Sequence, residues 1–156
     1  MDQPNRWLES LGSLTLFYKE LLLPLKDSLP QVPADSYLER EEDPLWHLGH
    51  ACFDCARALL LAYGQSLDTV HRHQELYLGL NARHPWDSPR PEWAALVDWW
   101  EQVLKEVELA LKLYDQSPQE IIILDQYPLT TARKAFDYVL FHSGFHIGRV
   151  HQLLGW

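Results

Sequence analysis

The residues of this sequence best suited to chemistry are its histidines. The chain closes on LFHSGFHIGRVHQLLGW, which carries His142, His146 and His151. His142 and His146 are four positions apart, so on a helix they lie one above the other on a single face. Much earlier, DPLWHLGHACFDC places His47 and His50 three apart, with Asp54 one further turn along. Imidazole is a common ligand for zinc, nickel, copper and iron, and metal sites in helical bundles are built from inward side chains on different helices. Two histidines from one helix and one from another would supply three protein ligands. A further position would stay open for water or substrate, as in catalytic zinc sites.

The closing pair by itself is also what a helix face with two ordinary histidines looks like. Two local features speak for more. Gly49, Gly144 and Gly148 flank the histidines inside apparent helices, where glycine costs about 1 kcal/mol relative to alanine. Such glycines suggest close helix approach or room for something bound. The surroundings in YVLFHSGFHIG are also apolar, and a bare polar ring is costly there without a partner. His151 falls about 140° round the helix from His146, which sets it outside the site. His71 and His73, in VHRHQE, read as solvated loop residues, and His84, before a proline, as an exposed one.

Other candidates are weaker. Cys52 and Cys55 form CFDC, but a redox pair of this spacing sits at a helix N-terminus after a strand, and no second pair completes a zinc site. They read as packing residues. Asp54 could orient a ligand histidine or bind substrate or cofactor, or could be a surface acid. Asp137 and Tyr138, one turn before His142, are candidates of the same kind. No phosphate-binding glycine loop, nucleophile elbow or HExxH motif is present.

Four segments of helical periodicity would position these residues. The first runs from Asn5 to Ser28 and meets Pro24 near its end. The second opens at Asp43 and Pro44, a natural N-cap followed by a first-turn proline, and continues to Gly64. A less regular stretch follows, a short helix and then a proline-rich loop. The third helix begins around Ser88 to Pro91 and carries EWAALVDWWEQVLKEVELALKLY, with apolar residues every three to four positions. Trp93, Trp99 and Trp100 read as its core and interface residues. Ile121 to Leu124 is either extended or a buried lead-in, and the fourth helix starts at Thr130 or Thr131 and runs to the end. With almost no strand signal, the expected fold is all-α, a four-helix bundle with long connections, in a single domain over residues 1–156.

The pairing of LWHLGHACFD with HSGFHIGRVHQLL resembles the DinB-like (damage-inducible) superfamily of metal-binding four-helix bundles. That superfamily includes bacillithiol- and mycothiol-dependent transferases and the N-terminal domain of ergothioneine-forming sulfoxide synthases. Its W-x-L-x-H setting is matched by Trp46, Leu48 and His50, and its H-x-x-x-H-x-G-Q by His142, His146 and Gly148. Arg149 stands where the family usually has glutamine, and at a pocket mouth it could bind an anionic group of substrate or cofactor. The resemblance implies His50, His142 and His146 as metal ligands, with His47 a near alternative to His50 on the same helix. It implies a divalent ion, zinc or nickel, and transfer of a low-molecular-weight thiol to an electrophilic small molecule. It also implies a homodimer, with a non-catalytic metal-binding or stress-related interaction module as the competing reading.

Composition narrows the classes. The 156 residues are 47% apolar and 22% charged, as expected of a globular chain able to bury a core; seven tryptophans are unusual for this length and should be mostly core or interface residues. The net charge is 13 − 22 = −9, with no basic run, which argues against nucleic acid as a partner. The beginning MDQPNRWLES is polar, and no apolar stretch reaches the roughly 18 residues needed to span a bilayer. Cytoplasmic location without membrane association is the expectation, and the two cysteines are too few for a disulfide framework.

Overall fold

The computed structural model describes residues 39–60, 67–79, 82–83, 86, 90–110, 122–124 and 127–155, with Glu9 and Gly12. Four helices account for most of them: α1 (Pro44–Leu59), α2 (Leu67–Tyr77), α3 (Trp93–Ala110) and α4 (Ala132–Leu154). A single 3-10 turn, Arg40–Glu42, precedes α1. Two short strands, β1 (Ile122–Leu124) and β2 (Tyr127–Leu129), pair antiparallel with Ile123 opposite Pro128. The class is thus all-α with one small hairpin. The helix expected over Asn5–Ser28 lies outside the described residues, apart from Glu9 and Gly12, which are helical. So do Gly64 and His84.

Helix α1 starts as its sequence dictates. The Asp43 carboxylate accepts the Leu45 N–H at 2.9 Å, and Pro44 occupies the first turn, where its missing N–H costs nothing. That carboxylate also receives Arg90 in bidentate fashion, Nε at 2.6 Å and Nη2 at 2.7 Å, and the Trp86 indole N–H at 3.0 Å. One buried side chain therefore caps α1 and anchors the segment that leads into α3. Arg40 works similarly: it is buried, donates to the Glu75 and Leu76 carbonyls near the end of α2, and lies over the Trp86 ring.

All of α1 except Arg57 is buried. Its sequence is apolar nearly all round, the signature of a helix enclosed by others. It packs against α2, α3 and, most extensively, α4. The core stripe of α3 is Leu96, Trp99, Trp100, Val103 and Val107, at the spacing a helix requires. On α4 the inward row reads Ala135, Val139, His142, His146 and Val150. Both histidines stand where aliphatic side chains would otherwise fill the core. Thr131 caps α4, its hydroxyl accepting the Lys134 N–H at 3.2 Å, and Gly155 ends it in the left-handed conformation at φ 72°.

Two expectations need correction, and one alternative is decided. His73 is not in a solvated loop: it lies on α2 and stacks on Trp99 with ring centroids 3.7 Å apart. Burying an imidazole against an indole is what a helical register over VHRHQE achieves. His71 shares that helix, though exposed. Of the three glycines, only Gly49 marks a close approach, because a Cβ there would overlap the Tyr77 ring, whereas Gly144 and Gly148 face open space. Of the two readings open for Ile121 to Leu124, the extended one holds over Ile122–Leu124, and the YPL segment is its partner strand. Its proline fits because Pro can sit on a two-stranded ladder only where no N–H is needed. No helix among the described residues is long and apolar enough to cross a membrane.

Candidate metal centre

His50 on α1 and His142 and His146 on α4 converge. One ring nitrogen from each lies within 4.8 Å of the others, and all three side chains are buried. Helical spacing aligns the α4 pair, and the close packing of α1 on α4 brings His50 across to it.

The hydrogen bonds behind the rings decide which nitrogens face inward. His50 Nδ1 donates to the Tyr77 carbonyl at 2.7 Å, which leaves Nε2 for the site. Tyr77 reaches that position because Gly49 has no side chain. Trp46 stacks on the His50 ring, 4.7 Å between centroids and 8° between planes, and fixes its tilt. Gly79 closes the other side, where a Cβ would stand 3.4 Å from His50 Cε1.

His146 is held by a second imidazole. His47 Nε2 lies 2.8 Å from the Glu41 carbonyl, and His47 Nδ1 lies 2.8 Å from His146 Nδ1. A carbonyl only accepts, so the His47 proton sits on Nε2 and its Nδ1 is an acceptor. His146 must then donate from Nδ1, and its Nε2 lone pair turns to the site. Burial pushes the His47 pKa down to about 4, helped by the nearby positive charge of Arg149. Burial, with His50 and His142 as neighbours, pushes His146 far down as well. Both rings are therefore neutral at pH 7, the form that ligates. Of the two histidines on α1, His50 faces the α4 pair and His47 stands behind His146.

His146 Nε2 and His142 Nε2 are 3.2 Å apart. Two nitrogens sharing one ion at bond lengths of about 2.0–2.1 Å in tetrahedral geometry sit roughly 3.3 Å apart, so the spacing of the α4 pair suits a shared ion. The partners behind His50 and His146, a backbone carbonyl and a second imidazole, are also of the kind that metal-binding histidines use.

The site opens into a cavity of about 820 Å³ lined by residues that include Trp46, Arg57, Phe141, Phe145 and Arg149. Phe141 and Phe145 are strongly exposed at 75% and 56%, so the cavity has an apolar rim. Arg149 is among the lining residues, with its guanidinium hydrogen-bonded to Gln152. Asp54 is buried against the histidines, with Oδ2 at 3.5 Å from His142 Nε2, and it is not a surface acid. Tyr138 donates its hydroxyl to that same oxygen at 3.2 Å. Asp137 points away: it is exposed and pairs with Arg133 at 3.7 Å. His151 is not among the three converging rings.

Cys52 and Cys55 are buried and unpaired in any disulfide. Burial raises both thiols, Cys55 to about 12, so neither is a thiolate at neutral pH. They pack, as their place in mid-helix implied. Sequence reasoning missed the roles of His47, Tyr77 and Trp46 around the rings. Only Trp46 left a trace, in the W-x-L-x-H spacing. No protein-family model matches the chain, and neither a curated protein nor a solved structure matches it.

Proposed function

We propose that this chain is a divalent-metal protein built as a DinB-like four-helix bundle, with His50, His142 and His146 as its ligands. The observation that carries the reading is the convergence of three buried imidazole nitrogens beside a large cavity. An ion held there supplies Lewis acidity, which lowers the pKa of a coordinated thiol or water. The chain's own residues do the rest. Tyr77 and His47 fix the ring orientations, Trp46 restrains His50, and Arg57 and Arg149 offer positive charge to an anionic group in the cavity.

The finer reading is transfer of a low-molecular-weight thiol to an electrophile. It is supported by the motif resemblance and by the absence, among the described residues, of a protein thiol able to serve as nucleophile. Homodimerisation through the bundle helices belongs to the same reading. Elemental analysis of the purified full chain, repeated on His50→Ala, His142→Ala and His146→Ala, tests the core claim. One equivalent of metal is expected in the parent and little in the variants, and full retention in the His142 or His146 variant overturns it. A screen of thiols against electrophiles, read by loss of free thiol, tests the finer one.

The exposed Phe141 and Phe145 favour a second reading, a non-catalytic metal-stabilised module that docks a partner at the cavity rim. Metal uptake without any thiol consumption would point there.

A further inference from the structure

The structure assigns Asp54 a place as the fourth ligand of the centre, making it a three-histidine, one-carboxylate site. The inference rests on the metal-binding reading above. Asp54 Oδ2 lies 3.5 Å from His142 Nε2 and 3.8 Å from His50 Nε2. These separations are close to the 3.2 Å between the two α4 nitrogens, so the oxygen stands among the ligand atoms, not behind them. It is the one carboxylate this near to two of the rings among the described residues.

The alternative role is a plain ion pair with Arg57. That contact is made by the other oxygen, Oδ1, at 3.5 Å, and Oδ1 has no hydrogen-bond partner although it is buried. Oδ2 is turned the opposite way, toward the histidines. The Tyr138 hydroxyl fills one lone-pair direction of Oδ2 at 3.2 Å and leaves the other open. Meanwhile His50 Nε2 and His146 Nε2 are both lone pairs, because their Nδ1 protons are committed elsewhere. His142 Nε2 then donates to the His146 lone pair at 3.2 Å, and a cation would take the place of that proton among the two lone pairs and the carboxylate oxygen. Charge points the same way, since a buried dication among neutral rings is costly and one carboxylate halves its net charge.

A consequence for metal choice follows. Zinc in a structural site is satisfied by four ligands in a tetrahedron, which protein groups alone would fill here. An exogenous ligand then favours an ion that readily takes five or six, such as manganese, iron, cobalt or nickel, over a zinc ion that must expand its shell.

The test is a cobalt(II) titration of the metal-free full chain, followed by visible absorption and by competition with a chromophoric chelator. Asp54→Asn, which keeps the shape, and Asp54→Ala are compared with the parent and with His142→Ala, each checked for native helicity by circular dichroism. The parent is expected to bind one cobalt with the weak d–d bands of five- or six-coordination. Both Asp54 variants should lose more than the roughly 10–100-fold that removing an outer partner costs, and the bands at saturation should shift. Should the Ala variant fail to fold, the band position in the Asn variant decides. If the Asp54 variants keep parental bands and affinity while His142→Ala loses cobalt, the carboxylate assignment falls and the three-histidine site stands. If the parent takes up no cobalt, both fall.

Discussion

At the residue scale, two backbone carbonyls order the converging imidazoles. The Glu41 carbonyl sets the His47 tautomer, and His47 in turn sets that of His146. Replacing His47 by Phe removes the acceptor and frees the His146 ring to turn, so metal affinity should drop about 10–100-fold while the helix content holds; isothermal calorimetry reads it. That partnership was not legible in the sequence. His47 and His50 are about 60° apart on α1, so both point toward α4 within the breadth of a helix face. Only the positions of Glu41 and Tyr77, fixed by tertiary packing, separate ligand from support. The His142/His146 pair was legible because helical geometry alone aligns it. The cysteines make a further prediction. Cys55 ionises near 12 in the folded chain and near 9 when unfolded. Above pH 9 the unfolded chain therefore holds fewer protons than the native one, and stability falls as pH rises from 9 toward 12, by up to about 4 kcal/mol. Below pH 9 the term is flat. Denaturant midpoints across that range should show the decline, and a disulfide reagent at neutral pH should label neither thiol until the chain is unfolded.

At the scale of elements, the glycines separate two kinds of helix position. Gly49→Ala would drive a methyl into Tyr77, which is only 1% exposed and has nowhere to go. Overpacking of this kind costs about 1–3 kcal/mol, against a gain in helix propensity of about 1. The variant should be less stable, and its metal affinity should drop too, because the Tyr77 carbonyl that holds His50 moves with the ring. Gly144→Ala and Gly148→Ala meet no neighbour and should gain up to about 1 kcal/mol each. Thermal melts of the three variants would show opposite signs, although a sequence reading treats the three alike. Caps behaved differently from glycines. Asp43 and Thr131 were recognisable as helix starts because capping depends on neighbours two or three positions away. The β1–β2 hairpin was half legible: IIIL has β-branched character, whereas YPL is a strand only through its partner.

At the scale of the molecule, α1 packs against α2, α3 and α4, and the converging histidines lie on its contact with α4. An ion that binds the folded chain alone stabilises it by mass action, about 2.7 kcal/mol at a hundredfold excess over Kd. For a chain of this length that corresponds to a rise in Tm of roughly 5–10 °C. A chelator should reverse it, and His142→Ala should show neither change; scanning calorimetry distinguishes these. The contact between His47 and His146 also bridges 99 positions. Closing so long a loop costs on the order of 4 kcal/mol in chain entropy before any ring meets another. The centre therefore cannot preform in the disordered chain and is completed only as α4 arrives on α1. A bound ion then acts as a latch and not as a nucleus: refolding proceeds at nearly its metal-free speed, while the escape from the native state slows by almost the whole of the binding energy.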